Sequence, residues 1–84
     1  NETNFLIYPN PVIDDIQFFV PQSLKGKIIT LKITNSFGEI VLEETIKAKY
    51  ISEIISVSNT LASGTYYIIL VSEDQKIKSK FVKI

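Results

Sequence analysis

The side chains that could carry chemistry in this chain are carboxylates, lysines and tyrosines, because its 84 residues include no His, no Cys and no Arg. Without His, the commonest general base and metal ligand is missing. Without Cys, thiolate nucleophiles, disulfides and Cys-based zinc sites are excluded. Ser63 precedes Gly64, but it lies in no G-x-S-x-G frame and has no His to activate it. We therefore expect no enzyme, no catalytic residue and no cofactor.

Carboxylates occur in three adjacent pairs, Asp14-Asp15, Glu43-Glu44 and Glu73-Asp74. Carboxylate oxygens are typical ligands of Ca²⁺, so each pair could supply part of a calcium site. Glu43 and Glu44 lie in a strand-like stretch, where neighbouring side chains point to opposite faces and cannot easily share one ion. The other two pairs lie in turn-like stretches, where acidic residues are favoured for backbone reasons. The pattern favours turn chemistry over a metal site.

Positive charge is concentrated at the end of the chain, where Lys76, Lys78, Lys80 and Lys83 follow the last acidic residue, Asp74. In a strand, the first three of these lysines share one face, and Val82 and Ile84 continue it.

These lysines have two interpretations, and both stay open. Lysines on an edge strand protect it from pairing with other chains. The same lysines could also present a basic surface to a receptor or to an anionic surface. Nucleic acid is disfavoured, because the formal net charge is zero, Arg is absent and no aromatic residues are interleaved with the lysines.

The elements that must position these residues are strands. Ile, Val, Thr, Phe and Tyr, which pack well on pleated sheets, total 36 residues, whereas Ala occurs twice. Turn signals separate seven predicted strands: Phe5–Tyr8, Ile16–Val20, Lys27–Asn35, Glu39–Ile46, Ile51–Val57, Gly64–Val71 and Lys76–Ile84. No stretch keeps a helical period. The pattern predicts one all-β domain over residues 1–84, an antiparallel sandwich or barrel, with residues 1–4 as a linker remnant of a longer parent protein.

Two local motifs sharpen this prediction. Asn35-Ser36-Phe37-Gly38 predicts a tight turn, with Gly38 where positive φ is needed. In Leu61-x-x-Gly64-x-Tyr66, the Tyr stands near the start of the penultimate strand, where Greek-key sandwiches bond a Tyr hydroxyl back to upstream backbone. We expect the Tyr66 ring in the core beside Leu61. The opposite face of this strand is also apolar, which indicates a central strand covered on both sides or one that awaits a partner.

Taken in order, the motifs resemble the type A C-terminal sorting domain of the type IX secretion system. The resemblance covers Phe5 to Ile84. It is carried by Tyr8-Pro9-Asn10-Pro11 with Asp14-Asp15, by the stretch from Ile33 to Val41, by Ile55-Ser56-Val57 with the Leu61–Tyr66 motif, and by Lys80-Phe81-Val82-Lys83. Two departures are Val12-Ile13, where small or polar residues are usual, and Ile84, which extends past the terminal Lys.

The resemblance implies an Ig-like, Greek-key antiparallel β-sandwich of about seven strands that serves as a secretion address. A cargo fused at its N-terminal side would cross the periplasm to the outer-membrane surface or the extracellular space. The outer-membrane machinery would read the domain, and a sortase-like peptidase would commonly remove it, with the cargo released or attached to anionic lipopolysaccharide. The residues that this resemblance marks for recognition are Pro9, Asn10, Pro11, Gly38, Leu61, Gly64, Tyr66, Lys80, Phe81, Val82 and Lys83.

Two other functions fit the same fold class. A carbohydrate-binding or adhesive Ig-like module would need an exposed aromatic platform, for which Tyr8, Tyr50, Tyr66 and Tyr67 are the candidates, although they are dispersed in the sequence. A fibronectin-like spacer would need only the fold. Within the sorting interpretation, the last strand is the strongest candidate for direct receptor contact, because an end strand can add to another sheet by main-chain pairing.

Overall fold

A computed structural model describes residues 7–8, 11–49, 52–57, 61–73 and 75–84, and the statements below concern those residues. Seven strands are present: β1 Ile7–Tyr8, β2 Asp15–Phe19, β3 Ile28–Asn35, β4 Ile40–Lys47, β5 Ser52–Ser56, β6 Gly64–Val71 and β7 Lys76–Lys83. The predicted number is confirmed. From β2 onward, the strand ends fall within one residue of the predicted bounds. Phe5, the predicted start of the first strand, lies outside the described residues.

The strands form two antiparallel sheets, one in the order β1-β2-β5 and the other in the order β4-β3-β6-β7. The chain crosses between the sheets after β2, after β4 and after β5. As a result β5 returns to pair with β2, and β6 returns to pair with β3. These crossing connections are typical of Greek-key sandwiches. The Ig-like antiparallel β-sandwich expected from the sequence is confirmed.

The core lies between the two sheets and follows the period-two pattern of the strands. In β3, Ile29, Leu31 and Ile33 are fully buried, whereas the alternating Thr and Lys side chains are half-exposed. Facing them from the smaller sheet are Ile16 and Phe18 of β2, which are also fully buried. Each such side chain contributes about 1.5–3 kcal/mol by leaving water. This burial holds the sandwich together without disulfides.

The turn between β3 and β4 is built around Asn35. Its backbone oxygen accepts a hydrogen bond from the Gly38 N–H at 3.0 Å, and its Oδ1 accepts from the N–H groups of Phe37 and Glu39 at 2.9 and 3.0 Å. Gly38 has a φ of +88°, a left-handed conformation that favours Gly. The predicted tight turn is confirmed. It leaves the Phe37 ring 87 % exposed at the tip.

The connection between β2 and β3 contains a short 3₁₀ turn at Gln22–Leu24, where the sequence predicts no regular element. Pro21 precedes the turn, and Leu24 is fully buried. The turn therefore anchors this connection to the core. In the described part of the chain, no helix has the length and apolar character required to cross a membrane.

Candidate functional site

The last strand, β7, lies at one edge of the four-stranded sheet and pairs with β6 along its whole length. Its inward side chains include Ile77 and Phe81, which are buried in the core. Lys76, Lys78 and Lys80 alternate with them and are exposed on the outer face. The prediction that these three lysines share one face is confirmed. The strand is thus held by its apolar residues and displays its charges.

Beside these lysines runs an apolar column from the outer face of β6. Tyr67, Ile69 and Val71 are half-exposed, and the register places them opposite Lys80, Lys78 and Lys76. The Nζ atom of Lys78 lies 5.3 Å from the centroid of the Tyr67 ring, a cation–π contact. β6, the strand with two apolar faces, is therefore central in its sheet, but its outer face is half-exposed and not covered, so only its central position matches the first interpretation. Its outer face borders a shallow depression of about 300 Å³.

The fourth lysine of the terminal segment is placed differently. Lys83 is only 8 % exposed and belongs to the inward-facing series that includes Phe81. Its Nζ donates a hydrogen bond to the backbone oxygen of Ile84 at 2.8 Å. The outer face of β7 therefore carries three of the four terminal lysines, and the Lys80–Lys83 motif is divided between the two sides of the sheet.

The end of β7 is held by Val12, in a contact that we call the Val12 clamp. The Val12 N–H donates to the Val82 oxygen at 2.7 Å, and the Ile84 N–H donates to the Val12 oxygen at 2.9 Å, which forms an isolated parallel bridge. The Val12 side chain is fully buried. Sequence reasoning noted Val12 only as a departure from the family pattern. The sequence offered one indication of its burial, because Val12 is an apolar residue between two turn-forming stretches, Pro11 and Asp14-Asp15.

The Val12 clamp joins the segment that follows the Pro-Asn-Pro motif to the Lys80–Lys83 motif. Pro11, which directly precedes Val12, is exposed. Pro9 and Asn10, the other two members of the Pro-Asn-Pro motif, lie outside the described residues. The structure thus brings the end of this motif next to the last strand, which was not expected from the sequence.

Tyr66 forms the expected corner at the start of β6. Its hydroxyl donates to the Ala62 oxygen at 2.8 Å, and its ring stacks on Phe81 with centroids 5.7 Å apart. Leu61 is buried, as predicted. Gly64 has a φ of +157°, and a Cβ there would lie 3.7 Å from Cε2 of Tyr66. Leu61, Gly64, Tyr66 and Phe81 are thus part of the packing that holds β6 and β7 in place.

The described members of different acidic pairs lie on separate elements of the fold. Glu43 and Glu44 lie opposite Lys32 and Leu31 on β3, so they point to different faces, as the sequence predicted. Asp15 begins β2, whereas Asp74 lies outside the described residues. Over the described ranges, no group of three or more His, Cys, Asp or Glu residues is arranged to hold a metal ion.

The tyrosines do not form one platform either. Tyr66 is in the core and Tyr67 is on the outer face of the larger sheet, whereas Tyr8 belongs to the smaller sheet. Tyr50 lies outside the described residues. Tyr8 packs instead against Phe19, with ring centroids 5.5 Å apart and planes tilted by 41°. Phe19 is not marked by any local sequence motif, and it becomes a neighbour of Tyr8 only through the pairing of β1 with β2.

Comparison with known proteins agrees with this architecture. The family model described as "Secretion system C-terminal sorting domain" matches residues 6–84. A search of curated proteins found no match. Among solved structures, the chain is similar to PorZ, a bacterial surface component of the type IX secretion system of Porphyromonas gingivalis, with a TM-score of 0.71 and 20 % identity. The match covers 95 % of this chain and 11 % of PorZ, and it shows the shared fold.

Proposed function

Because the chain belongs to the family of secretion system C-terminal sorting domains, we propose that it directs an N-terminally attached cargo by presenting β7 to the outer-membrane machinery. Membership makes the chain a sorting signal of the type IX system and implies export through the outer membrane to the cell surface or the extracellular space. The proposed part is the mode of recognition. We also propose that the domain binds the machinery and carries out no catalysis itself.

The observation that carries this proposal is the position of β7. The strand lies at a sheet edge, exposes Lys76, Lys78 and Lys80 on one face and buries Phe81 on the other. An edge strand offers main-chain groups to a partner, and its side chains add specificity. Gly64 and Tyr66 pack beside this strand, since Gly64 pairs with Lys83 and the Tyr66 ring stacks on Phe81. In the proposed function they hold the fold and do not contact the receptor.

Later steps belong to the same proposal. A sortase-like peptidase removes the domain after export, and the cargo is released or attached to anionic lipopolysaccharide. Cleavage on the N-terminal side of β1 would separate cargo from signal without breaking the sandwich. Mass spectrometry of the exported cargo checks this step, because a cargo that retains residues of the sandwich contradicts it.

The test is a fusion of residues 1–84 to the C-terminus of a periplasm-targeted fluorescent protein, expressed in cells with and without the type IX machinery. We expect export only in cells with the machinery. Deletion of Lys80–Ile84 should abolish export while the fluorescent cargo stays folded. Since Phe81 is fully buried, this deletion also removes part of the core. Export in both strains, or in neither, contradicts the proposed function.

A second function is favoured by one observation. The Tyr8–Phe19 ring pair lies on the outer face of the smaller sheet, beside the 63 % exposed Ile54. Aromatic rings on an open sheet face suit the stacking of sugar rings, as an adhesive or carbohydrate-binding module requires. Glycan-array binding that is lost in Phe19→Ala would support this function, and binding to no glycan would remove it.

A further inference from the structure

We propose that the free edge of β7, from Lys76 to Lys80, binds an extended protein segment with acidic side chains at alternate positions, which adds to the sheet as an antiparallel or parallel strand. This inference deepens the proposed function, and rests on it, because it gives the chemistry of the partner that reads β7. It follows from the direction of the main chain, from the limits of the free edge and from the placement of the lysines.

The main-chain direction follows from the Val12 clamp. The Val82 oxygen and the Ile84 N–H point toward Val12 and away from β6. In an antiparallel ladder, alternate residues direct both of their main-chain groups to the same side. The ladder between β6 and β7 has no register shift, so Lys80, Lys78 and Lys76 also point away from β6. These three residues thus offer three donors and three acceptors at the sheet edge.

The Val12 clamp also limits where a partner can pair. Val12 already occupies the edge at Val82 and Ile84. Among the described residues, no other strand pairs with the outer edge of β7. The accessible stretch therefore begins at Lys76 and ends just after Lys80. This length matches a short added strand, such as those that peptides form at sheet edges.

The side chains at this edge determine which charge the partner strand should carry. Lys76, Lys78 and Lys80 project from one face at intervals of about 6.8 Å, twice the rise per residue of a strand. An added strand repeats at the same interval, so acidic residues at its alternate positions lie beside the lysines. Such opposite-charge cross-strand pairs stabilise a sheet, whereas like charges destabilise it. A lipid or polysaccharide surface could neutralise the lysines but could not satisfy the main-chain donors and acceptors in this pattern.

A second copy of the chain fits less well. The other edge of the same sheet is β4, whose outer face carries Glu43 followed by Thr45 and Lys47. Pairing of β4 with β7 would offer one acidic side chain to three lysines and would bring Lys47 toward them. Charge complementarity therefore favours a different, more acidic strand.

The main-chain part is tested with Lys78→Pro in the fluorescent fusion. Pro removes the outward N–H of residue 78 and obstructs an incoming strand, yet it spares the ladder to β6, because Pro is tolerated on an edge strand when its position faces solvent. The matched control is Thr45→Pro at the opposite edge. The Ala48 N–H donates to the Lys27 oxygen, and the Ala48 oxygen accepts from the Gly26 N–H, so both main-chain groups of Ala48 point toward β3. Because main-chain groups alternate in direction along a strand, the N–H of Thr45, three residues earlier, points away from β3.

We expect Lys78→Pro to lower the ratio of exported to retained fluorescence at least about tenfold, a factor that corresponds to 1.4 kcal/mol. Thr45→Pro should keep this ratio within about twofold of the unchanged fusion. Thermal unfolding of both variants verifies that the sandwich is retained. Unchanged export of folded Lys78→Pro overturns the proposal, and so does an equal loss in both folded variants.

The charge part is tested with the pair Lys76→Glu and Lys80→Glu, which leaves the contact between Lys78 and Tyr67 in place. The matched control is Lys25→Glu with Lys47→Glu, which changes the net charge equally on exposed residues outside β7. Only the first pair should lower export. A loss with the first pair but not with Lys78→Pro would indicate binding of an anionic surface without strand addition, and would overturn the proposal.

A direct measurement separates this inference from the secretion function. The fusion is titrated with a short capped peptide that alternates Glu with Val and Thr, and with the same peptide carrying Lys in place of Glu. Amide shifts in the NMR spectrum should concentrate at Lys76, Lys78 and Lys80 with the Glu peptide alone. If the fusion is not exported but these shifts occur, the secretion function fails and the edge chemistry stands. If no shifts occur at these amides, the edge chemistry fails whatever the export result.

Discussion

Replacement of Tyr66 by Phe removes one hydroxyl and leaves the ring in place. The hydroxyl donates to the Ala62 oxygen at 2.8 Å from a side chain that is 8 % exposed, and the ring keeps its stacking on Phe81. A hydrogen bond of this kind contributes about 0.5–1.5 kcal/mol to stability. In a domain of this size, a loss of 1 kcal/mol lowers the melting temperature by about 4–8 °C. We therefore expect the melting temperature of Tyr66→Phe to be lower than that of the parent by about 2–12 °C.

The chain offers a matched control in the next residue. Tyr67→Phe makes the same chemical change on a half-exposed side chain of the outer face. We expect it to change stability by less than about 0.5 kcal/mol, as is usual for surface positions. Thermal and urea unfolding of the two variants gives the comparison. Equal losses in both variants, or a loss above about 3 kcal/mol in Tyr66→Phe alone, would refute the assignment of the effect to this single hydrogen bond.

Three other substitutions have expected outcomes. Gly64→Ala should cost more than about 1 kcal/mol in urea unfolding, because residues other than Gly rarely adopt its φ of +157°, although the new Cβ would lie in ordinary contact with the Tyr66 ring; an unchanged midpoint contradicts this. Asn35→Ala should cost about 1–2 kcal/mol in thermal unfolding through the lost turn hydrogen bonds, and a stability within error of the parent would show that the turn forms without them. Val12→Ala should cost about 2 kcal/mol by removing buried methyl groups. It should also accelerate hydrogen exchange at the Ile84 amide, whose unchanged protection would argue against the Val12 clamp.

Features set by nearby residues could be predicted from the sequence. The alternation in β3, the bounds of β6 and the Gly38 turn each depend on a few neighbouring residues, so local pattern was sufficient. Tyr66 was also predicted correctly, since its hydrogen-bond partner, Ala62, lies only four residues upstream. The same holds for the shared face of the three exposed lysines, which follows from strand alternation alone.

Features that depend on distant residues could not be predicted in this way. The clamp joins Val12 to Val82 and Ile84, and no local pattern announces a parallel bridge between opposite ends of a chain. The burial of Lys83 depends on its position beside the start of β6, opposite Gly64. The neighbourhood of Tyr8 and Phe19 likewise arises only when β1 pairs with β2. In each case the residue type was known, but the residue that it contacts in the folded chain could not be identified from the sequence.

The Val12 clamp has a consequence for the order in which the fold is completed. During synthesis Val12 emerges well before its main-chain partners, Val82 and Ile84. This contact therefore forms only after β7 has emerged. A chain cut before Val82 would leave the main-chain groups of the buried Val12 unpaired, at a cost of about 1–3 kcal/mol for each group. The stability of the sandwich therefore depends on Val82 and Ile84, and removal of these residues would lower it before any receptor binds β7.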